Sequence, residues 1–205
     1  MGLIKSVCVY CGSGLGRDPR HEAAARAFGE ILAINNVALV YGGGGQGLMG
    51  TVAKSTLEHG GHVTGIIPDF LQNREFMLKE AQEHIVTKDM HERKRLMFEK
   101  ADAFVALPGG IGTLEELVEQ LTWAQLGQHK KPIMVANIGG YWEPLLSMLE
   151  HMTAHSFIRE SLWVPYLICD RIEDVLPELE KAAAEVLEQG DRPKKTVAGT
   201  PLGNM

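Results

Sequence analysis

Glu115 and Glu116 follow directly on the run Pro108-Gly109-Gly110-Ile111-Gly112-Thr113, and the two halves of that juxtaposition call for different chemistry. Gly109, Gly110, Gly112 and Thr113 offer open backbone amides at a strand-to-helix turn, where unpaired N–H groups and the helix dipole favour a phosphate. A bare phosphate site gains nothing from carboxylates beside its ligand, so the acids point beyond binding to a reaction at the held molecule. The same residues, Thr113-Leu114-Glu115-Glu116, read equally well as a capping box, in which the glutamate only folds back onto the N-cap amide.

Other residues join this candidate site. Arg93 stands three before Leu96 and four before Met97, so its guanidinium projects from an apolar helical stripe near the ligand end of its helix. A long stem snorkelling over apolar surface is the competing reading. Lys94 and Arg95 read as solvated charges. Gly42, Gly43, Gly44, Gly45 and Gly47 crowd six positions, which would be costly in a regular element and favours a second phosphate or ribose contact over a merely tight turn. Ser13 lies in a third glycine loop, Gly12 to Gly16. Arg74 and Glu75 fall in the irregular segment Asp69 to Gln82, where specificity residues are commonly placed, although a surface ion pair is the simpler reading.

Metal and nucleophile chemistry find less support. His151 and His155 lie one helical turn apart without the acid of H-E-x-x-H or a third ligand, and no G-x-S-x-G elbow is present. No metal is expected. Cys8 and Cys11 match C-x-x-C formally, but both fall in a strand on opposite faces rather than at a helix N-terminus that would activate a thiol; with Cys169 they read as structural cysteines.

The elements that must position these residues alternate. Ser6–Cys11, Val37–Tyr41, His62–Ile67, His84–Thr87, Phe104–Leu107, Pro132–Asn137 and Val164–Cys169 read as strands, and the segments between them show helical spacing, with the last helix expected over Asp170–Gln189. The fold class that follows is α/β, a Rossmann-like doubly wound parallel sheet with helices on both faces. In such sheets ligands bind at the carboxyl ends of the strands, where all three glycine loops should meet. Residues 1–189 are expected to form one nucleotide-binding catalytic domain, and the polar residues 190–205 a disordered tail.

The composition of these 205 residues, 45% hydrophobic and 22% charged, is that of a globular chain, and a formal charge of −6 argues against nucleic-acid or anionic-membrane partners. No apolar run approaches the ~18 residues of a membrane span. The start enters a strand pattern without an apolar leader, so a cytoplasmic location is expected.

Pro108 to Glu116 matches P-G-G-x-G-T-x-x-E, and the chain thereby resembles the Lonely Guy proteins, cytokinin riboside 5′-monophosphate phosphoribohydrolases. The resemblance extends over Cys11-Gly12-Ser13, Tyr41-Gly42-Gly43-Gly44, Gly47-Leu48-Met49-Gly50, Met90-His91-Glu92-Arg93-Lys94 and Thr122-Trp123-Ala124-Gln125-Leu126-Gly127. Members have often been labelled lysine decarboxylases, a name that the motif's chemistry does not support. The resemblance implies hydrolysis of the N-glycosidic bond of adenine-type nucleoside 5′-monophosphates, AMP or an N6-prenylated AMP, without a cofactor. By position it implies Arg93 and Glu116 as catalytic residues. It implies substrate contacts at Glu75, Arg93, Lys94, Gly110, Ile111, Gly112, Thr113, Leu114, Glu115, Glu116 and Thr122, with the phosphate on the Gly110 to Thr113 amides. Ser13, Gly43 and Gly44 are further candidate contacts. Ile111 stands where tyrosine is frequent in plant members, which bears on base preference rather than on the reaction. The family also implies a homodimer with the Glu116 helix near the partner, where Trp123 and Leu126 could contribute, though both positions equally suit a core. A non-catalytic nucleotide sensor, in which Glu116 only caps its helix, is the alternative. A pyridoxal-phosphate decarboxylase would need a Schiff-base lysine, and none stands out.

Overall fold

The structure is a computed structural model that describes residues 2–72, 76–158 and 166–191. Among these, seven strands form one parallel sheet: β1 (Ser6–Tyr10), β2 (Ala38–Tyr41), β3 (Val63–Pro68), β4 (Glu83–Thr87), β5 (Ala103–Ala106), β6 (Ile133–Ala136) and β7 (Leu167–Cys169), in the order 4-3-2-1-5-6-7. The α/β, doubly wound architecture expected from the alternation is the one observed. Val7 pairs with Leu39 on one side and Ala103 on the other, so the strand order reverses between β1 and β5. A crevice opens there at the carboxyl edge, because the helices leaving the two strands pass to opposite faces.

Alternation along β1 divides the core. Val7 and Val9 face a layer built with α1 (Pro19–Ile34), α2 (Gly47–Glu58) and α6 (Val175–Asp191), through Phe28, Leu32, Val52 and Leu179. Cys8 and Tyr10 face the opposite layer, where Met97 of α3 (Met90–Glu99), Leu117 and Leu121 of α4 (Ile111–Gln125) and Leu149 of α5 (Glu143–Ala154) pack. Leu117 is fully buried, and cutting it to Ala would cost about 2–5 kcal/mol.

The ends differ from the sequence reading in small ways. The helix expected from Asp170 begins at Val175, after a 3-10 turn over Ile172–Asp174. The start of the strand expected from Val164, and residues 192–205 of the expected tail, lie outside the described residues. Backbone hydrogen bonds join the loops at the carboxyl edge. Gly12 N donates to Pro108 O (3.0 Å), while Met49 N and Leu48 N at the start of α2 donate to Gly12 O (3.3 Å) and Gly14 O (3.4 Å). No described helix is long and apolar enough to cross a membrane.

Candidate active site

Helix α4 starts three residues earlier than a capping box at Thr113 would require. Its N-cap is Gly110, in extended backbone with no side-chain cap, so Thr113 is the third residue inside the helix and Glu116 lies in the second turn. The capping reading of Thr113 and Glu116 is therefore corrected: Glu116 is too far along to reach the N-cap amide. The amides of Gly109, Gly110, Ile111, Gly112 and Thr113 find no acceptor among the described residues; the first that does is Leu114, on Gly110 O at 3.0 Å. These are the orphan donors of a helix start, aimed at the crevice. A Cβ placed on Gly110 or Gly112 would meet nothing within 4 Å. Packing does not demand glycine there, and a closely approaching ligand would.

Arg93 enters the same crevice from α3, and it is buried rather than snorkelling. Its Nε donates to Ile66 O (3.2 Å) within β3 and its Nη2 to Gly42 O (3.2 Å) just after β2, so two neighbouring strands hold the guanidinium. Nη2 comes within 4.0 Å of Glu116 Oε1, with the two side chains only 7% and 11% exposed. This arrangement accounts for part of the second glycine loop. A Cβ on Gly42 would land on Arg93 Nη2, and Gly43 adopts φ +81° against Ile67. Gly44 bridges to Met77 and Gly45 N donates to Phe76 O (2.9 Å). Gly43 and Gly44 line neither cavity described below.

Lys94, expected on residue grounds to be a solvated charge, is largely covered. Its Nζ donates to Glu115 Oε1 (2.6 Å) and Glu119 Oε1 (2.9 Å), tying α3 to α4. Burial works against its charge, but these two carboxylates outweigh that and raise its pKa. Arg95 does lie at the surface, paired with Glu99 at 3.0 Å.

Two cavities occupy the crevice. One, of about 230 Å³, is lined by Cys11, Ser13, Met90, Arg93, the Gly110 to Thr113 turn, Glu115 and Glu116. The other, of about 300 Å³, lies between the first and third glycine loops and shares Gly12, Ser13 and Gly110 with it. Burial, and after it the Glu116 carboxylate, push up the thiols of Cys8 and Cys11, so neither is poised as a nucleophile. Thr122 does not reach these cavities. It is exposed, with Oγ1 donating to Val118 O (2.8 Å), about 9 Å along the helix axis from Glu116 at the standard rise. Leu114 is half-buried, and Glu75 lies outside the described residues. Among the described residues no group of three or more His, Cys, Asp or Glu could hold a metal ion.

His21 and Tyr141, which line the second cavity, were not singled out by sequence reasoning. A signal for His21 existed: it precedes Ala24, Ala25 and Phe28 by three, four and seven residues, and so belongs to the buried stripe of α1. Tyr141 is placed from a distance. Asn137 donates to Glu143 (2.8 Å) and Asp170 (3.0 Å) and accepts from Trp142 N (2.9 Å), fixing the connection after β6, and the Tyr141 hydroxyl donates to Gly109 O.

Residues 49–179 match the family model described as "Possible lysine decarboxylase". Over 183 residues the chain is 43% identical to the "Probable cytokinin riboside 5′-monophosphate phosphoribohydrolase LOG4" of Oryza sativa subsp. japonica, covering 89% of this chain and 80% of that protein. It is 46% identical over 155 residues to the "Cytokinin riboside 5′-monophosphate phosphoribohydrolase LOG7" of Arabidopsis thaliana, covering 76% and 71%. Among solved structures, the Moco carrier protein of Chlamydomonas reinhardtii superimposes with a TM-score of 0.67 at 18% identity, covering 88% of this chain and 98% of that one, a likeness of fold alone. With a matched family model over more than half its length, and relatives this similar over most of it, the chain belongs to the Lonely Guy family.

Proposed function

We propose that this protein hydrolyses the N-glycosidic bond of adenine-type nucleoside 5′-monophosphates, releasing the free base and ribose 5-phosphate. The observation that carries the reading is the buried approach of Arg93 to Glu116 beside the unpaired amides that open α4. As the C1′–N bond breaks, its electron pair leaves with the base and the ribose takes on oxocarbenium-like charge. The Glu116 carboxylate stabilises that charge and orients the water whose oxygen bonds to C1′. The base departs with a proton from the net addition of that water. Arg93 cannot act as a general acid, because guanidinium stays protonated in proteins; it orients Glu116 and binds substrate oxygens. Ser13, Gly110 to Thr113, Glu115 and Glu116 border the substrate, with Lys94 holding Glu115 in place and Glu75 as a further contact. Gly43 and Gly44, which line neither cavity, shape the loop that holds Arg93 instead.

A homodimer completes this reading. Ile111, Val118, Thr122 and Leu126 form one exposed stripe along α4, and Met148 and Met152 of the neighbouring α5 are exposed as well. A second copy would cover this apolar face. The substrate contact expected at Thr122 is then made to the nucleotide held by the other copy.

The test is product analysis by chromatography after incubation with AMP and, separately, with N6-isopentenyl AMP, with Glu116→Gln as control. Release of base and ribose 5-phosphate that vanishes in the variant supports the hydrolase and ranks its substrates. Tight nucleotide binding with no base released from either would instead support a sensor.

A further inference from the structure

The peptide that joins Gly109 to Gly110 carries one of the open amides of the α4 turn. It is trans, so the Gly109 carbonyl and the Gly110 N–H point in opposite directions. Among the described residues the one hydrogen bond to this peptide comes from the Tyr141 hydroxyl, which donates to Gly109 O. Tyr141 lines the larger cavity and not the smaller, whereas Gly110 borders both. Holding the carbonyl on the Tyr141 side therefore turns the Gly110 N–H toward the smaller cavity, the one that Arg93 and Glu116 line. The sequence at the turn does not fix that choice by itself. Gly109 has no Cβ because one would strike Thr113 Oγ1, and Gly110 leaves its space open. Two such residues let the peptide between them rotate at little steric cost. Rotated by half a turn, it would present a carbonyl oxygen to an anion in place of a donor. Tyr141 is itself held firmly. Gly139 and Gly140, at φ +66° and +77°, turn the chain after β6, and the phenol ring meets Trp142 and His21 edge-on at centroid distances of 5.0 and 5.3 Å.

We propose that Tyr141 is a positioning residue whose hydroxyl selects the orientation of the Gly109–Gly110 peptide that offers the Gly110 N–H to the substrate's 5′-phosphate. The hydroxyl acts through the peptide and does not touch the substrate. A donor already aimed when the nucleotide arrives spares the ordering that a freely rotating glycine pair would otherwise undergo on binding. The connection after β6 thereby tunes a turn that follows β5. This inference rests on the nucleotide-hydrolase reading above, with the phosphate on the α4 amides.

The experiment uses Tyr141→Phe in the full chain, which keeps the ring and removes the hydroxyl. By calorimetry the Kd for ribose 5-phosphate should rise about two- to tenfold, the worth of one hydrogen bond, while that for adenine changes less than about twofold. KM for the better of AMP and N6-isopentenyl AMP should rise by the same factor with kcat within about twofold, because bound substrate and transition state need the oriented amide equally. In glycine-labelled wild type, ribose 5-phosphate should shift the Gly110 amide resonance, assigned by its absence from Gly110→Ala. In Tyr141→Phe that resonance should already move before any ligand is added. A variant that binds ribose 5-phosphate as tightly as the wild type overturns the proposal. Equal weakening of both products with a fallen kcat marks Tyr141 as merely structural and overturns it too. So does a wild-type Gly110 amide indifferent to ribose 5-phosphate, a result that needs no Tyr141 variant to fold. Failure of the hydrolase reading is separate and visible, since the wild type would then release no base from any nucleotide while the binding arms still read the peptide.

Discussion

Nη2 of Arg93 stands 4.0 Å from Oε1 of Glu116, although the two residues belong to helices that follow different strands, with β5 between them. The pair is not self-supporting. Its geometry comes from the carbonyls of Ile66, within β3, and Gly42, just after β2, which hold the guanidinium. Arg93→Lys keeps the charge but cannot span these acceptors in fork geometry. A fall in kcat/KM of about 10- to 100-fold is expected, with a thermal midpoint lower by a few degrees for the ~1–3 kcal/mol of lost buried hydrogen bonds. Arg93→Ala strips a partner from Glu116 and should cost about 3–5 kcal/mol, read by denaturant titration.

Glycine substitutions separate packing from ligand space. In Gly42→Ala the new methyl would collide with Arg93, so activity and stability should fall together. In Gly110→Ala the methyl meets nothing in the protein and the backbone is in an ordinary extended conformation. Stability should then change by less than about 1 kcal/mol, the difference between Gly and Ala at an N-cap, while KM for the nucleotide rises. Melting curves and steady-state kinetics on both variants check the contrast. A Gly110→Ala enzyme with unchanged KM would remove the turn from the substrate site.

The exposed stripe of α4 bears on assembly. Val118→Asp combined with Leu126→Asp places charges where a second copy would pack. The expected outcome is a shift from dimer to monomer in sedimentation equilibrium, together with lost activity if Thr122 serves the other copy's nucleotide. Wild-type protein that sediments as a monomer at working concentration would rule the dimer out.

Acid stability carries a readable sign. Glu83 accepts from Lys100 Nζ (2.9 Å) and Thr64 Oγ1 (2.9 Å), which lowers its pKa below the usual carboxylate value. A depressed folded-state pKa contributes stability that is present above the unfolded value near 4.3 and is lost as pH falls through the folded one. Glu83→Gln should therefore be less stable than wild type at pH 7, by the few tenths of a kcal/mol expected of a partly exposed pair, and the gap should close as pH falls below the usual carboxylate range. Paired thermal melts across that range test it.

What sequence made legible was local. Strand alternation and the three glycine loops placed the crevice correctly, because parallel α/β sheets send all such loops to one edge. Arg93 stood out since a cation on an apolar stripe needs an explanation. Lys94 was misread as solvated because the carboxylates that cover it, Glu115 and Glu119, arrive from another helix 21 and 25 residues away. Gly42 was assigned to ligand or turn since its real constraint, the Arg93 guanidinium, lies 51 residues on. The capping box misplaced the start of α4 because Gly110, with no side chain, served as N-cap where Thr113 matched the pattern.

Ile111 is 80% exposed, between two glycines whose open amides face the crevice. Every residue except proline presents the same main-chain amide at that position, so the side chain can be exchanged without altering the donors beside it. The rim of the crevice can thus change its bulk and polarity by a single replacement while its main-chain donors stay where they are.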